Sequence, residues 1–311
     1  MNSSSSEAGG SLLAFSNGLA AAVERAGRSV VAVNARPRVP SSGILWRPGV
    51  VVATNHTIQR DEEITVTFPD GRTLPAKLAG RDPSTDIAAL KLEGNGQIKA
   101  ETGDASTLRV GHVVLAVGRS GGNSIGASLG IISSLGGAWR TWRGGQIDRF
   151  IRLDAAIYMG FSGSALVSAD GSIVGVNTSG LGRGMALAIP ASTIDRVVDE
   201  LLAKGHIARG YLGIGTQPVR LPDALRAKLN LARNVALIVV SVEPESPADK
   251  AGLLIGDVLV SLEGAPVNDI ADVQAKLGPE WIGKTLATSV LRAGSLTPLS
   301  IRVAERSERV R

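Results

Sequence analysis

Three widely separated residues have the side chains needed for nucleophilic catalysis: His56, Asp86 and Ser162. A serine hydroxyl is a weak nucleophile at neutral pH, so it needs a neighbouring base, and an imidazole base needs a carboxylate that fixes its tautomer. His56 ends the apolar run VVVATNH, Asp86 opens the run DIAALKL, and Ser162 precedes ALVS. All three stand at ends of expected strands, where a rigid sheet commonly presents functional side chains. The spacing therefore predicts one catalytic group, assembled wherever the fold brings these strand ends together.

The glycines around Ser162 have a chemical use of their own. Gly160 can turn its N–H toward a developing oxyanion together with the N–H of Ser162, and Gly163 allows a substrate backbone to come close. The chain order His, Asp, Ser is that of chymotrypsin-type enzymes. An α/β-hydrolase esterase, with the order Ser, Asp, His, would need glycine where Ser164 stands and would have only His206 as its base. That alternative is poorly supported.

Short β-branched runs separated by turn residues must position these side chains. Pro69-Asp70-Gly71 and Ala169-Asp170-Gly171 lie between apolar runs and predict tight hairpins. Many short strands with little helix between them indicate an antiparallel barrel or sandwich. Helices are expected at 11–26 and at about 192–204, the second with a capping box from Ser192 to Asp195. In the C-terminal region, a short helix should begin after Ser246 and end at Gly252.

The composition excludes several other kinds of chemistry. The chain has 311 residues, enough for two domains of about 150 residues, and contains no cysteine. Disulfides, thiolate catalysis and cysteine-bound metals are therefore excluded, and we expect no cofactor and no metal. The longest apolar runs are far shorter than the ~18 residues of a membrane span. The net charge is +5, but the arginines are not interleaved with base-stacking aromatics, so nucleic-acid binding is not expected.

Five collinear blocks stand out along the chain: TNHTI, DGRTLPAKLAGRDPSTDIAALKL, GFSGSALVSADGSIVGVNTS, RGYLGIGTQPV and VEPESPADKAGLLIGDVLVSLEGAPV. With their neighbours, over about 12–305, they resemble the HtrA/Deg family of trypsin-like serine proteases, which carry one or more C-terminal PDZ domains. The resemblance implies a mostly β fold: a chymotrypsin-like double β-barrel protease domain at 11–206, then a PDZ domain at 207–305. A PDZ domain is a small, partly open β-barrel with helices (α+β). Residues 1–10 are expected to be disordered, and 306–311 to form a basic tail.

The resemblance also implies a role for each matching residue of the protease domain. His56 would be the general base, Asp86 its orienting carboxylate and Ser162 the nucleophile, with Gly160 and Ser162 supplying the N–H groups of the oxyanion hole. Ala156 would form the base of the S1 pocket; because it is not acidic, small or medium apolar P1 side chains fit better than Lys or Arg. The wall that pairs with the substrate backbone would contain Thr178, Ser179, Gly180, Ala186 and Leu187.

In the PDZ domain, the resemblance implies a groove for peptide C-termini. The carboxylate-binding loop would be Tyr211, Leu212, Gly213 and Ile214. A peptide strand would add beside Ile214, against a helix carrying Val273 and Leu277.

The family implies unfolded or misfolded polypeptides as substrates and a homotrimer formed through the N-terminal segment 11–28. The first ten residues, MNSSSSEAGG, contain no signal segment, so the sequence as written predicts a cytoplasmic protein. A removed leader would instead make it periplasmic.

The sequence departs from the family pattern at the nucleophile. Tyr158, Met159, Phe161 and Ser164 differ from the usual residues, Ala165 replaces a proline, and Arg119-Ser120 replaces Asn-Pro. A bulky side chain at Phe161 could hold the peptide between the two oxyanion donors in either orientation, and losing one donor typically costs ~10²–10³ in rate. A catalytically degenerate homologue that acts as a peptide-binding or chaperone module is therefore the alternative function.

Overall fold

Two closed β-barrels make up most of the first of two compact units, Met1–Ile207 and Ala208–Arg311. The computed structural model describes residues 3–93, 99–121, 124–182, 184–229 and 234–306. The first barrel has the strand order β1-β2-β3-β6-β5-β4. Its strands are β1 (Val30–Asn34), β2 (Ser41–Arg47), β3 (Val50–Thr54), β4 (Ile64–Thr67), β5 (Thr73–Asp82) and β6 (Ile87–Leu92). Its interior is packed with side chains such as Val31, Leu45, Val51 and Leu90.

The second barrel has the order β11-β14-β13-β12-β7-β8. Its strands are β7 (Val113–Gly118), β8 (Gly126–Gly136), β11 (Phe150–Asp154), β12 (Ala165–Ser168), β13 (Ile173–Thr178) and β14 (Leu187–Pro190); β9 (Trp139–Arg140) and β10 (Gln146–Ile147) form a separate hairpin. Both predicted hairpin turns are present, with Gly71 at φ 86° and Gly171 at φ 87°. Glycine suits these positions because residues with a Cβ seldom adopt such a conformation.

Two helices pack on the barrels. Helix α1 (Ser3–Gly27) begins eight residues before the predicted start at 11, so residues 3–10 are helical where disorder was expected. Helix α2 (Ala191–Lys204) buries Ile194, Val197, Val198 and Leu201 and ends at Gly205 in the left-handed conformation, as predicted. The predicted capping box is wrong, because the helix begins before Ser192, and the carboxylate of Asp195 instead accepts a hydrogen bond from Trp46 Nε1 at 2.8 Å.

The second unit contains a sheet in which β16-β17-β18-β20-β21 are neighbours and β19 pairs with β18. The strands are β15 (Gly210–Tyr211), β16 (Ile214–Arg220), β17 (Val235–Val242), β18 (Val258–Leu262), β19 (Ala265–Pro266), β20 (Thr285–Arg292), β21 (Ser295–Arg302) and β22 (Ala304–Glu305). The helices are α3 (Asp223–Lys228), α4 (Pro247–Lys250) and α5 (Ile270–Gln274). Ser246 caps α4 through Asp249 N–H, which confirms the predicted short helix. Of the predicted tail 306–311, only Arg306 lies within the described residues.

Candidate active site

His56 and Asp86 are brought together by the pairing of β3 with β6. Thr54 at the end of β3 lies opposite Ile87 at the start of β6, so the residues just beyond this pair are adjacent. His56 lies in a short 3₁₀ turn, Asn55–Thr57, and its Nδ1 is 2.8 Å from Oδ2 of Asp86. The backbone N–H of His56 donates to Oδ1 of the same carboxylate at 2.9 Å. Two contacts to one carboxylate fix both the position and the orientation of the imidazole.

The carboxylate of Asp86 is 3% exposed and also receives a hydrogen bond from the second barrel. The hydroxyl of Thr178, the last residue of β13, donates to Oδ2 at 2.5 Å and accepts the N–H of Gly180 at 2.9 Å. A Cβ on Gly180 would lie 2.6 Å from Asp86 Oδ2 and 2.7 Å from His56 Nδ1. Glycine is required there because any side chain would collide with the His–Asp pair.

The loop that carries Asp86 is held by an internal cluster that the sequence analysis did not identify. The carboxylate of Asp82 accepts the hydroxyls of Ser84 and Thr85 at 2.5 and 2.8 Å. Asp86 itself has φ +60°, a conformation that Asp tolerates better than most residues with a Cβ. The pattern DPSTD could have indicated this cluster, since Asp, Ser and Thr commonly cap turns through their side chains.

Ser162 follows a tight turn closed by the N–H of Phe161, which donates to the carbonyl of Tyr158 at 2.9 Å. Gly160, the third residue of this turn, has φ +87°, which a type II turn requires at that position. Ser162 is 8% exposed and lies at the entry to β12. The turn and the strand together hold the serine at one end of the second barrel.

The backbone N–H groups along this loop fall into two sets. Those of Phe161, Gly163 and Ser164 donate to protein carbonyls at 2.9 Å each. Those of Gly160 and Ser162 have no hydrogen-bond partner among the described residues. The two N–H groups left available are the two predicted to form an oxyanion hole.

A residue missed in the sequence, Ser42 of β2, fixes the carbonyl of Gly160. Its N–H and hydroxyl donate to that oxygen at 2.8 and 2.9 Å, and its hydroxyl accepts the N–H of Arg119 at 3.0 Å. The guanidinium of Arg119 is buried against the Val30 carbonyl, and this burial lowers its pKa. Ser42 of the first barrel therefore supports the loop before Ser162, and the backbone N–H of Arg119 donates to the Ser42 hydroxyl.

The hydroxyl of Ser162 lies 3.0 Å from that of Ser179. His56 keeps 35% of its side chain exposed, and its Nε2 has no hydrogen-bond partner in the described part of the chain. The structure thus brings His56 and Asp86 into direct contact and pairs Ser162 with Ser179. Among the described residues, the Ser162 hydroxyl has no hydrogen bond to His56 in this arrangement.

Several predicted binding residues lie elsewhere than expected. Ala156 is exposed, so it does not close the base of a pocket, and its carbonyl accepts the Ser128 hydroxyl at 2.6 Å. Leu187 is 2% exposed and pairs with both Arg152 and Thr178, while the Ala186 carbonyl accepts the N–H of Leu153. These backbone groups are already used inside the barrel, because β14 lies between two strands. Ser179 and Gly180 are the exposed residues of the predicted wall.

Gly163 also has a different use from the one predicted. A Cβ there would lie 2.0 Å from the carbonyl oxygen of Ser42, and its φ is +89°. The close approach is made by the protein's own β2 backbone, so glycine is needed for packing of the nucleophile loop rather than for substrate.

In the second unit, residues 211–214 connect β15 to β16 at an open sheet edge. Strand β16 pairs with β17 on one side and ends the path of the described sheet. The N–H groups of Leu212 and Gly213 have no partner among the described residues, while the carbonyl of Gly213 accepts the N–H of Glu243. Gly213 has φ +81°, and the hydroxyl of Tyr211 donates to Glu243 at 2.6 Å. Successive unpaired N–H groups are the features that bind a carboxylate.

The two predicted helix residues of this groove are less accessible. Val273 on α5 is 2% exposed and belongs to the core, and Leu277, which follows the helix, is partly buried against that core. Ile270, on the first turn of α5, is 50% exposed. The helical periodicity therefore identified the core face of α5 and not the face open to a peptide.

Across the residues that the structure describes, no three His, Asp or Glu side chains come together as metal ligands. No helix in the described ranges is long and apolar enough to cross a membrane.

Comparison with protein families identifies both units. Residues 41–176 match the trypsin-like peptidase domain, and residues 210–303 match the PDZ domain. A probable periplasmic serine endoprotease DegP-like of Brucella suis is 36% identical over 277 residues, covering 86% of this chain and 53% of that protein. A Rhizobium meliloti protein of the same description is 35% identical over 275 residues, covering 86% and 54%. The chain spans about half the length of these curated relatives.

Solved structures match nearly end to end. The HtrA-type protease AlgW with a tripeptide is 30% identical, with a TM-score of 0.72, over 93% of this chain and 98% of that one. The serine endoprotease from Yersinia pestis is 29% identical, with a TM-score of 0.71, over 92% and 97%. With two barrels followed by a PDZ domain, this chain belongs to the HtrA-type family of trypsin-like serine proteases.

Proposed function

We propose that this chain is a serine endopeptidase in which Ser162 is the nucleophile, His56 the general base and Asp86 the carboxylate that orients it. The Gly160 and Ser162 N–H groups stabilise the oxyanion of the tetrahedral intermediates that precede and follow the acyl-enzyme. The observation that carries the proposal is the buried Asp86, held by His56 and Thr178, together with two unpartnered N–H groups at the serine.

Unfolded or misfolded polypeptides are the proposed substrates. Ser179 and Gly180 are exposed residues next to the His56–Asp86 pair, so an extended chain, which a folded protein rarely offers, can lie along them.

The test combines fluorophosphonate labelling with cleavage of casein. Wild type and Ser162→Ala are compared with Ser295→Ala, which changes an exposed serine of the second unit. Labelling and cleavage that persist in Ser295→Ala and vanish in Ser162→Ala support the proposal. Folded wild type that neither labels nor cuts refutes it.

The PDZ unit is proposed to bind peptide C-termini through the N–H groups of Leu212 and Gly213, with the peptide added beside β16. A peptide with a free carboxylate should bind, and its C-terminal amide should bind at least tenfold more weakly, since one charge-assisted contact is lost. Gly213→Ala should also weaken binding, because a Cβ there would lie 2.2 Å from the Cβ of Ser246. Equal binding of acid and amide would exclude carboxylate capture.

A homotrimer is proposed through the N-terminal helix. Leu12, Leu13 and Phe15 of α1 are 70%, 62% and 50% exposed, which is unusual for large apolar side chains close to one another. Light scattering should give three times the chain mass for wild type and a smaller mass for Phe15→Glu. A wild-type monomer at micromolar concentration would exclude the trimer.

A second candidate function is a catalytically silent peptide-binding protein. One observation favours it: the Ser162 hydroxyl contacts Ser179 and not His56. The labelling experiment separates the two candidates, because a silent homologue would bind PDZ peptides without reacting with the fluorophosphonate.

A further inference from the structure

The side chain of Phe161, between the two proposed oxyanion donors, occupies a slot floored by glycine. Its ring is 5% exposed and lies over Gly118 and Gly126, which face each other across β7 and β8. A Cβ on Gly118 would lie 3.2 Å from ring atoms Cγ and Cδ2, and one on Gly126 would lie 3.0 Å from Cζ. These separations are tighter than ordinary van der Waals contact, so the ring fits because neither strand carries a side chain there.

The rest of Phe161 is held as firmly as its ring. Its N–H donates to the Tyr158 carbonyl, and its carbonyl accepts the N–H of Ser164, both at 2.9 Å. The ring of Tyr158 meets that of Phe161 edge to face, with centroids 5.3 Å apart and an interplanar angle of 89°. Movement of this ring would therefore displace the turn before Ser162 and the backbone after it.

The turn has two alternative states that differ in one peptide. A type II turn places its third residue at positive φ, whereas a type I turn places it near −90°, and the two differ by a flip of the central peptide. Here that peptide joins Met159 to Gly160, and Gly160 has φ +87°. The N–H that would flip is the first proposed oxyanion donor.

We infer that Phe161 is a positioning residue: its ring, seated on the Gly118–Gly126 pair, holds the nucleophile loop in the state that leaves the Gly160 and Ser162 N–H groups available. Phe161 acts through these N–H groups and does not itself touch the reacting atoms. The expected effect of Phe161 on kcat rests on the proposed function. Its expected effect on the conformation of the nucleophile loop can be measured separately.

The kinetic test compares wild type, Phe161→Ala and Phe161→Leu. The control is Gly137→Ala, at a glycine with open space around its Cβ position and no positive φ. Emptying the slot in Phe161→Ala should lower kcat about 10–100-fold, approaching the loss of one oxyanion donor, with KM changed less than twofold. Affinity for a peptide boronate, which mimics the tetrahedral intermediate, should fall by a similar factor. Phe161→Leu should keep kcat within about threefold, and Gly137→Ala should match wild type.

Gly126→Ala tests the same contact from the opposite strand and serves if Phe161→Ala does not fold. The added methyl would press on Cζ of the ring, so kcat and boronate affinity should again fall while KM holds. Wild-type kcat in a folded Phe161→Ala or Gly126→Ala would overturn the inference. A fall in kcat matched by an equal fold-rise in KM would also overturn the inference, since that pattern indicates general damage to substrate binding.

A crystal structure of Phe161→Ala distinguishes failure of the inference from failure of the proposed function. We expect Gly160 to leave positive φ or its N–H to acquire an internal partner. An unchanged loop would overturn the positioning role even if the wild type proved catalytically silent. A changed loop in a silent protein would support that role and refute only the proposed activity.

Discussion

Replacing Thr178 by valine removes the hydrogen bond to the Asp86 carboxylate, together with the acceptor of the Gly180 N–H. Valine has nearly the shape of threonine but lacks the hydroxyl that donates to Oδ2, so the β13 backbone and the barrel packing are retained. Asp86 keeps its two contacts with His56, through Nδ1 and the backbone N–H. The change therefore tests whether a bond from the second barrel helps to set the proposed base.

The magnitude follows from the burial of the carboxylate. Hydrogen bonds to charged groups contribute about 1.5–3 kcal/mol, and Asp86 is 3% exposed, so water does not readily replace the lost donor. Each loss of about 1.36 kcal/mol of transition-state stabilisation slows a reaction tenfold. Loss of the whole hydrogen-bond energy in the transition state therefore lowers kcat/KM about 10–150-fold. Asp86→Asn should cost more, ~10⁴-fold, because an amide favours the wrong tautomer of the imidazole.

The assay is kcat/KM for a fluorogenic peptide, with the unfolding midpoint measured in parallel. Thr178→Ser is the matched control because it keeps the hydroxyl and removes only a methyl group. We expect Thr178→Ser to stay within about threefold of wild type. Equal losses in the serine and valine variants, or wild-type activity in Thr178→Val, would refute the reasoning.

Three further predictions concern single contacts. Ser179→Ala removes the hydrogen bond to the Ser162 hydroxyl. Fluorophosphonate labelling should then become up to about tenfold faster, because one net hydrogen bond contributes about 1 kcal/mol. Slower labelling would mean that Ser179 assists the nucleophile. Gly163→Ala should destabilise the first unit by more than about 2 kcal/mol, measured by denaturant unfolding, because its Cβ would meet the Ser42 carbonyl at positive φ; an unchanged midpoint would contradict this. In the second unit, hydrogen bonds from Arg292 hold the pKa of Asp257 below its usual range, so their stabilisation is present above about pH 4 and is lost as the pH falls through the lowered pKa. Asp257→Asn should therefore cost about 2–3 kcal/mol at pH 7, and hydrogen-exchange protection of β20 should become less sensitive to acid; an unchanged pH slope would contradict this.

The fold was largely predictable because its strands are punctuated by strong turn residues. Gly71 and Gly171 mark hairpins, and Gly205 ends α2, since each of these positions requires a positive φ. Strand β2 was missed, although it holds the carbonyl of Gly160. It begins with Ser-Ser-Gly, a sequence typical of a turn. Its residues are buried because the barrel closes around them, and local sequence periodicity does not contain that information.

The site was predictable where chemistry restricts the residue type. Histidine is rare in this chain, the family resemblance implied a pairing of His56 with Asp86, and the structure places the two side chains in contact. Thr178 was expected only as part of the wall that pairs with substrate backbone; that its side chain donates to Asp86 was not predicted, because this contact depends on how the two barrels meet. Val273 shows the same limit, since helical spacing does not distinguish the core face of a short helix from the face along a groove.

The division of the site between two barrels has a consequence during synthesis. His56 and Asp86 belong to the first barrel, while Ser162 and Thr178 belong to the second, which follows later in the chain and closes only when β14 pairs with both β11 and β13. A nascent chain that has folded only its first barrel therefore has the proposed base, His56, but not yet the proposed nucleophile, Ser162. Under the proposed function, proteolytic competence would arise only after the second barrel has been synthesised and folded.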